Sequence, residues 1–514
     1  MRAVADLRYY TRSFNKQHNL NVSAGWEAAS GTTESTNAHY RGFPSGEFHS
    51  LNYAAEVYKK PTRTENTTRR VSVLASANYT WNDIYLVDAS VRFDGSSEFG
   101  ANQKWAPFFS GGLGVNIHNY DFFKSNGYIN KLKLRASYGR TGKVNFPAYA
   151  ATTMYETLFD EWYITGYGAV LKALGNKDLT WEKTDKLSVG IETKTFHDRL
   201  TVDFEYYYNK TIDLVNDVTL SQTSGFSTYK DNMGQVANKG VELKLRADIY
   251  RDRNWNVALW GNMAHNKNEI LKISDSQKAY NERVAAYYKN EALYQETLGL
   301  SHGAEYSVPL PQYEEGASLT SIWAVRSLGI DPTTGKEIFL NRDGSIADKW
   351  NAAQEVVVGN TEPKCSGAFG LNLSYKNWTL FASFLYEWGG QEYNQTLVNN
   401  VENADLVNKN VDLRVLTDRW KKPGDIAQFK DIKDRGMTTL PTSRFVQDKA
   451  LVRLNSLNVS YDFNRDWIKK HLRMNLLRLE ASTSDLINWS SIKQERGLSY
   501  PRSWKVEFSL KAQF

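Results

Sequence analysis

The sequence predicts an all-β chain, an antiparallel transmembrane β-barrel, on three observations. The first is strict alternation. Trp504, Val506, Phe508, Leu510, Ala512 and Phe514 fall on one face of a terminal strand, with Lys505, Glu507, Ser509, Lys511 and Gln513 on the other. The second is strand length. Such alternation runs for about ten to thirteen residues, which suits a tilted membrane strand of roughly 9–11 better than a soluble strand of roughly 5–6. The third is the connections, which alternate short and long, as when periplasmic turns alternate with external loops.

About fifteen strands are expected, near residues 2–14, 20–30, 69–81, 83–95, 107–117, 131–142, 183–196, 199–212, 236–250, 255–268, 364–376, 377–390, 448–463, 475–488 and 503–514. In the third, Val71, Val73, Ala75, Ala77, Tyr79 and Trp81 oppose Ser72, Ser76, Asn78 and Thr80. In the fourth, Tyr85, Val87, Ala89, Val91 and Phe93 oppose Asp88, Ser90, Arg92 and Asp94. Leu200, Val202, Phe204, Tyr206 and Tyr208 alternate with Thr201, Asp203, Glu205 and Asn209, and Val241 to Ile249 alternate with Glu242, Lys244, Arg246 and Asp248. The apolar rows are assigned to lipid and the polar rows to the lumen. In Leu451–Phe463 the apolar row slips between Leu454 and Leu457, which predicts a bulge near Asn455–Ser456. Short connections are expected at Asn15–Asn19, Asn82–Asp83, His197–Asp198, Arg251–Asn254, Lys376–Asn377 and Asn464–Met474. Long loops are expected at 31–68, 143–182, 213–235, 269–363, 391–447 and 489–502. Aromatics beside the turns, as in Tyr79–Tyr85, suit an interfacial girdle.

Composition agrees. Mean hydropathy is −0.55 and no run approaches the roughly 18 apolar residues of a membrane helix, but a barrel confines its lipid face to half of each strand. The lone Cys365 excludes an intramolecular disulfide and a multi-thiolate metal site. Basic residues are dispersed and net charge is only +6, which argues against nucleic acid. The eight histidines form no HExxH or i,i+4 pair, so no metal site is expected. Gly139–Val144 lacks the phosphate-loop spacing, Asn341–Gly344 reads as a hairpin turn rather than a calcium loop, and no G-x-S-x-G elbow occurs. No catalytic residue and no cofactor are expected, so the chain reads as a non-enzyme.

Certain runs carry a resemblance. FDGSSEFG (Phe93–Gly100), W-x-P-F-F-S-x-G-x-G-V (Trp105–Val115) and LKLRASYGRTG (Leu132–Gly142) are followed in order by NKDLTWEKTDKLSVGIE (Asn176–Glu192), YYYNKTIDLV (Tyr206–Val215), NKGVEL (Asn238–Leu243), HNKNEI (His265–Ile270) and GIDPTTG (Gly329–Gly335). DRWKKPGD (Asp418–Asp425), LVRLNSLNVSYDF (Leu451–Phe463) and RGLSYPRSW (Arg496–Trp504) complete the set. Together they resemble the SusC/RagA family of TonB-linked outer-membrane transporters. The resemblance implies a barrel of about twenty-two strands around a plug, of which fifteen correspond to roughly the last two-thirds. Residues 1–514 are then the C-terminal part of the barrel, with no plug. Residues 1–14 contain no apolar h-region, so no signal peptide is expected, and Met1 reads as an internal methionine or a cropped start.

The implied function is import of glycans or oligosaccharides across the outer membrane of a Gram-negative bacterium. A SusD-like surface lipoprotein is the implied lid, and the TonB complex is reached through the missing N-terminal part. Outer-membrane lipid is a further implied partner. The alternatives are a peptide importer of the same family and a non-transporting β-rich surface adhesin. Phe508, Leu510 and Phe514 resemble the terminal signal read by the barrel-insertion machinery. Trp162, Tyr163, Tyr167, Tyr287, Tyr288, Trp323, Tyr393 and Trp420 fall in external segments, where aromatic faces either stack on sugar rings or pack the loops together. The inward charges either line a solute path or face the plug and water.

Overall fold

The computed structural model describes residues 2–14, 17–44, 50–124, 128–144, 146, 149–164, 166–219, 228–232, 234–275, 277–279, 281–282, 312–408, 410–436, 439–463, 465–493 and 505–513, with only the backbone of 2–14. Each of the fifteen expected strands has a counterpart, and among the described residues these succeed one another in one sixteen-stranded sheet. In order they are β1 (Arg2–Phe14), β2 (His18–Arg41), β3 (Glu56–Trp81), β4 (Tyr85–Ser96), β5 (Trp105–Asn116), β6 (Ile129–Lys143), β9 (Glu182–Thr195), β10 (Leu200–Ile212), β13 (Gln235–Arg251) and β14 (Trp255–Lys272). β19 (Cys365–Tyr375), β20 (Trp378–Tyr393), β21 (Val446–Asp462), β22 (Leu476–Ser484) and β24 (Lys505–Gln513) follow. The sixteenth, β23 (Asn488–Ser490), pairs with β21. The order is open, with β1 at one end and β24 at the other.

The remaining strands lie in the long connections. β7 (Met154–Tyr163) pairs with β8 (Gly166–Ala173), and β11 (Val215–Thr219) with β12 (Thr228–Asn232). β15 (Ser321–Ile330), β16 (Glu337–Leu340), β17 (Ile346–Ala347) and β18 (Glu355–Asn360) form a small sheet in the order β17-β16-β15-β18. Residues 341–344 are the expected hairpin turn, with the Gly344 amide donating to the Asn341 carbonyl at 3.1 Å.

Two expectations need correction. Residues 31–68 are mostly ribbon, because β2 and β3 stay paired as far as Arg41 and Glu56. The ribbon is rich in Thr, Ser and Asn, so its β-branched residues favour strand without any apolar alternation to announce it. It is tied by the Thr32 and Thr67 hydroxyls, 3.1 Å apart, and by Arg63–Glu34 at 2.9 Å. Residues 475–488 are not one strand. β22 stops at Ser484, Asp485 takes φ 57°, and the chain re-pairs as β23. The short connection 464–474 lies where expected and carries a helix, Arg465–Leu472. The predicted bulge is present: Ser383 faces Ser456 while Phe384 faces Leu454, leaving Asn455 without an opposite residue.

The chain divides into two compact units, the first of residues 1–113, 137–186 and 211–233, the second of 114–136, 187–210 and 234–514. In the first, the turn between β3 and β4 closes on Asn82 and Asp83 with φ of 52° and 55°, a conformation Asn and Asp tolerate best among non-glycine residues. Val71, Val73, Val87, Val91 and Phe93 are all exposed on one face, Val91 by 58%. The opposite face is laced across strands: the Ser23 and Ser76 hydroxyls lie 2.6 Å apart, the Asn78 amide donates to Asp88, and Arg92 donates to Ser72 at 2.8 Å. The second unit repeats this arrangement. Leu245, Leu259, Phe369, Leu479, Val506 and Leu510 are exposed, while polar side chains pair across strands. A water-soluble sheet would hide the first row and wet the second; here the greasy row is outermost, as a wall in lipid requires.

Aromatics gather at the short-turn ends. Trp81 stacks on Tyr85 at 5.3 Å in the first unit. In the second, Trp255 lies 4.2 Å from Tyr375 and Trp378 4.8 Å from Tyr461. These are the expected girdle residues. Among the described residues no helix is long and apolar enough to cross a membrane.

Candidate functional site

At the long-loop end of the first unit, the motif residues converge into one knot. On the exposed face Phe93 stacks on Trp105 at 5.4 Å, while in the buried knot Phe99 stacks on Trp181 at 4.1 Å and meets Phe146 edge-on at 5.2 Å. Phe108 turns its edge to Trp181. A Cβ on Gly142 would sit 2.1 Å from the Phe108 ring, so only glycine fits there. The Gly100 amide donates to the Leu179 carbonyl at 3.1 Å, and the Asn102 amide to Asp178 at 2.9 Å. Arg140 grips Asp185 through two nitrogens at 2.6 and 2.9 Å. FDGSSEFG, the WxPFF run and NKDLTWE are therefore one packing unit that ties the β4–β5 connection and the residues before β9 to β5.

In the second unit the inward row is a ladder of fixed pairs. Lys131 donates to Glu192 at 2.6 Å. Arg135 reaches both Asp203 at 2.8 Å and Glu205 at 2.6 Å, crossing β9 over Gly190, where a Cβ would lie 2.9 Å from its Nε.

Above that ladder, β13 and β14 carry an amide clasp. Asn266 donates to Asn238 at 3.1 Å and to Glu362, Asn268 donates to Asn238 at 2.9 Å, and the Tyr207 hydroxyl donates to Asn266 at 2.9 Å. Tyr207 lies over Gly240, where a Cβ would approach the ring hydroxyl to 2.7 Å and the His265 carbonyl to 2.0 Å. The NKGVEL and HNKNEI runs thus owe their Asn and Gly residues to one contact. Sequence reasoning singled out the runs but not the clasp, because Glu362 is distant in sequence from its partners.

Beside the clasp lies a cavity of about 820 Å³. Its lining includes Asn266, Asn268, Ser318, Asn360, Glu362, Trp388, Gln391, Asp448 and Lys449. Its carboxylates and Lys449 are engaged within the protein, while Lys267 lies 3.8 Å from Glu269 and Lys364 forms no ion pair among the described residues. Gln391 donates to Asp448 at 3.0 Å, Lys449 sits 3.4 Å from Glu387 and 3.3 Å from Glu392, and the backbone amide of Asn268 donates to Glu362 at 3.2 Å. The Trp388 indole is 69% exposed. Amides, hydroxyls and one open aromatic face are what a neutral polyol recognises.

Next to it in the chain, the loop residues form a lobe with its own core of Leu397, Val398, Val401, Val415, Phe429 and Phe445. Arg444 is clamped between Glu337 at 2.8 Å and Glu402 at 2.7 Å, with Glu402 fully buried. Burial opposes the charge on Arg444, and the two carboxylates more than offset it, holding the guanidinium above its ordinary value. Glu355 shows the opposite balance: burial in β18 pushes its carboxyl up to about 7, against the Gln312 amide and Arg342.

The sequence-predicted aromatics are not one cluster. Trp162 and Tyr163 face Tyr167 and Gly166 across the β7–β8 hairpin in the first unit, and those three aromatic side chains lie outside the described residues. Tyr287, Tyr288 and Phe514 lie outside the described residues as well. Trp323 is buried in β15, Tyr393 packs edge-on to Phe445 at 6.0 Å, and Trp420 donates to the Pro332 carbonyl at 2.8 Å while covering Gly335. These three pack the lobe. Phe508 and Leu510 are both exposed on β24. Among the described residues no group of His, Cys, Asp or Glu is placed to hold a metal.

The family model of the "TonB dependent receptor-like, beta-barrel" matches residues 2–480. The chain belongs to the TonB-dependent receptor β-barrel family. These are proteins of the Gram-negative outer membrane. TonB-dependent receptor P39 of Formosa agariphila is 27% identical across 98% of this chain and 52% of its own length. SusC of Bacteroides thetaiotaomicron is 29% identical across 47% of this chain and 25% of its own. Among solved structures, the RagAB peptide importer in its closed-closed state superposes with a TM-score of 0.81 at 23% identity, over 98% of this chain and 55% of that one. The family resemblance read from the motifs thus holds, and the chain spans about half the length of the F. agariphila relatives that it matches almost end to end.

Proposed function

We propose that residues 1–514 form barrel wall and external lobe of a TonB-energised outer-membrane importer of neutral oligosaccharides, working with a SusD-like lipoprotein lid. The observation that supports the cargo class is the polar lining of the 820 Å³ cavity: amides, hydroxyls and the exposed Trp388 are available to a ligand, and the carboxylates Glu362 and Asp448 already accept from Asn266, Asn268 and Gln391. Lys364, which also lines it and forms no ion pair among the described residues, is the charge that a peptide carboxylate would use instead. Trp162, Tyr163 and Tyr167 on the β7–β8 hairpin are the remaining candidates for ring stacking, while Phe508, Leu510 and Phe514 serve assembly.

The test is binding of labelled neutral oligosaccharides and of oligopeptides to the protein in lipid nanodiscs, followed by uptake in cells carrying the whole transporter. Oligosaccharide binding is expected, with Trp388→Ala weakening it by about tenfold through loss of the stacking face. Binding of peptides alone would move the cargo to the peptide branch of the family.

A further inference from the structure

The helix Arg465–Leu472 joins β21 to β22 at the short-turn end of the wall, where a tight turn would have sufficed. Its sequence, with Arg473 behind it, sets four basic side chains against the single carboxylate of Asp466. At 100° per residue, Trp467, His471, Ile468 and Leu472 share one side and Lys469 and Lys470 the other. Ile468 is 1% exposed and anchors the helix, whereas Trp467 and Leu472 beside it remain 49% and 41% exposed. Trp467 stacks on His471 at 5.2 Å. Lys469, Lys470 and Arg473 are exposed as well. The nearby carboxylate of Asp462 is already held by Arg478, at 2.6 and 2.8 Å, and so does not neutralise them.

The helix also continues the girdle. Trp378 meets Tyr461 at 4.8 Å and Tyr461 meets Phe463 at 5.1 Å, and Phe463 lies two residues before the helix begins. A short helix with a partly exposed apolar side, a basic side and a neighbouring aromatic belt matches an interfacial lipid-binding helix. We propose that Arg465–Arg473 is an anchor that binds the phosphate headgroups of anionic phospholipids in the periplasmic leaflet, through Lys469, Lys470 and Arg473 with Trp467 seated in the interface. The short-turn end faces the periplasm, where the leaflet is phospholipid, so lipid A phosphate is the competing source rather than the expected one. The proposal rests on the outer-membrane reading of the wall but not on the cargo.

The test reconstitutes the full chain in phosphatidylcholine nanodiscs holding a minority of acyl-spin-labelled phosphatidylglycerol or phosphatidylcholine. The motionally restricted fraction of each lipid gives their relative association constants. The wild type is expected to prefer phosphatidylglycerol several-fold, less so at high salt. Lys469→Gln/Lys470→Gln/Arg473→Gln should bring the ratio to near one, and Trp467→Ala should reduce it. The matched control Lys421→Gln/Lys422→Gln in the external lobe should leave it unchanged. A triple variant that keeps the preference, a wild type with none, or a preference displaced only by lipid A would overturn the anchor. Failure of the chain to enter nanodiscs at all would instead overturn the membrane reading beneath it.

Discussion

Val87→Arg is expected to destabilise the wall by roughly 2–4 kcal/mol, and Ser90→Arg by less than about 1 kcal/mol, in an unfolding titration in lipid. The two residues lie on the same strand, three positions apart, and point to opposite faces. Val87 sits in the exposed row with Tyr85, Val91 and Phe93. It faces Tyr79 of β3. A guanidinium there meets hydrocarbon, with no carboxylate in its row to receive it. Ser90 faces Ser76, and its hydroxyl lies 2.7 Å from that of Ser110, among Asp88, Arg92 and Asp94. A new cation there finds water and carboxylates. Equal costs would mean that the faces are assigned wrongly.

The second large effect lies in the external lobe. Arg444→Met should cost that lobe about 3–5 kcal/mol, because it leaves Glu337 and the fully buried Glu402 without their cation. Limited proteolysis of the lipid-embedded protein should then cut within residues 394–445 much faster while the wall strands stay protected. Arg444→Met/Glu337→Gln/Glu402→Leu should recover part of the loss, since it removes the three clamped charges together but takes the Glu402 and Glu337 carboxylates away from the half-buried Lys430. If the triple variant is no better than the single one, the cost comes from lost stacking of the Arg444 guanidinium on Phe445, whose ring centroid lies 4.4 Å from Cζ.

How much of this was legible in the sequence follows from what each element buries. The wall strands announce themselves because lipid demands an apolar residue at every second position, so even the slip at Asn455 shows in the spacing of Leu454 and Leu457. The β2–β3 ribbon gave no such sign. Its strand residues 32–39 and 56–66 are exposed on both faces, and pairing between Thr hydroxyls leaves no periodic trace. The lobe strands β15–β18 are short, and their partner strands are set by contacts far along the chain, such as Val325 against Pro441. The knot of Phe99, Phe108 and Trp181 was visible as motifs but not as contacts, because its members come from the β4–β5 connection, from β5 and from the residues just before β9. Trp323 and Trp420 illustrate the same limit. An aromatic in an external segment reads the same whether its ring is open or sealed, and only the packing around Gly335 and in β15 decides.

A scan of single spin labels along β4, from Leu86 to Phe93, in lipid bilayers tests the central claim most directly. Collision with dissolved oxygen, which concentrates in hydrocarbon, should peak at Val87, Ala89, Val91 and Phe93. Collision with a water-soluble nickel chelate should peak at Asp88, Ser90 and Arg92, in a period of two. A profile without that alternation, or with its phase reversed, would contradict a wall whose apolar row faces lipid.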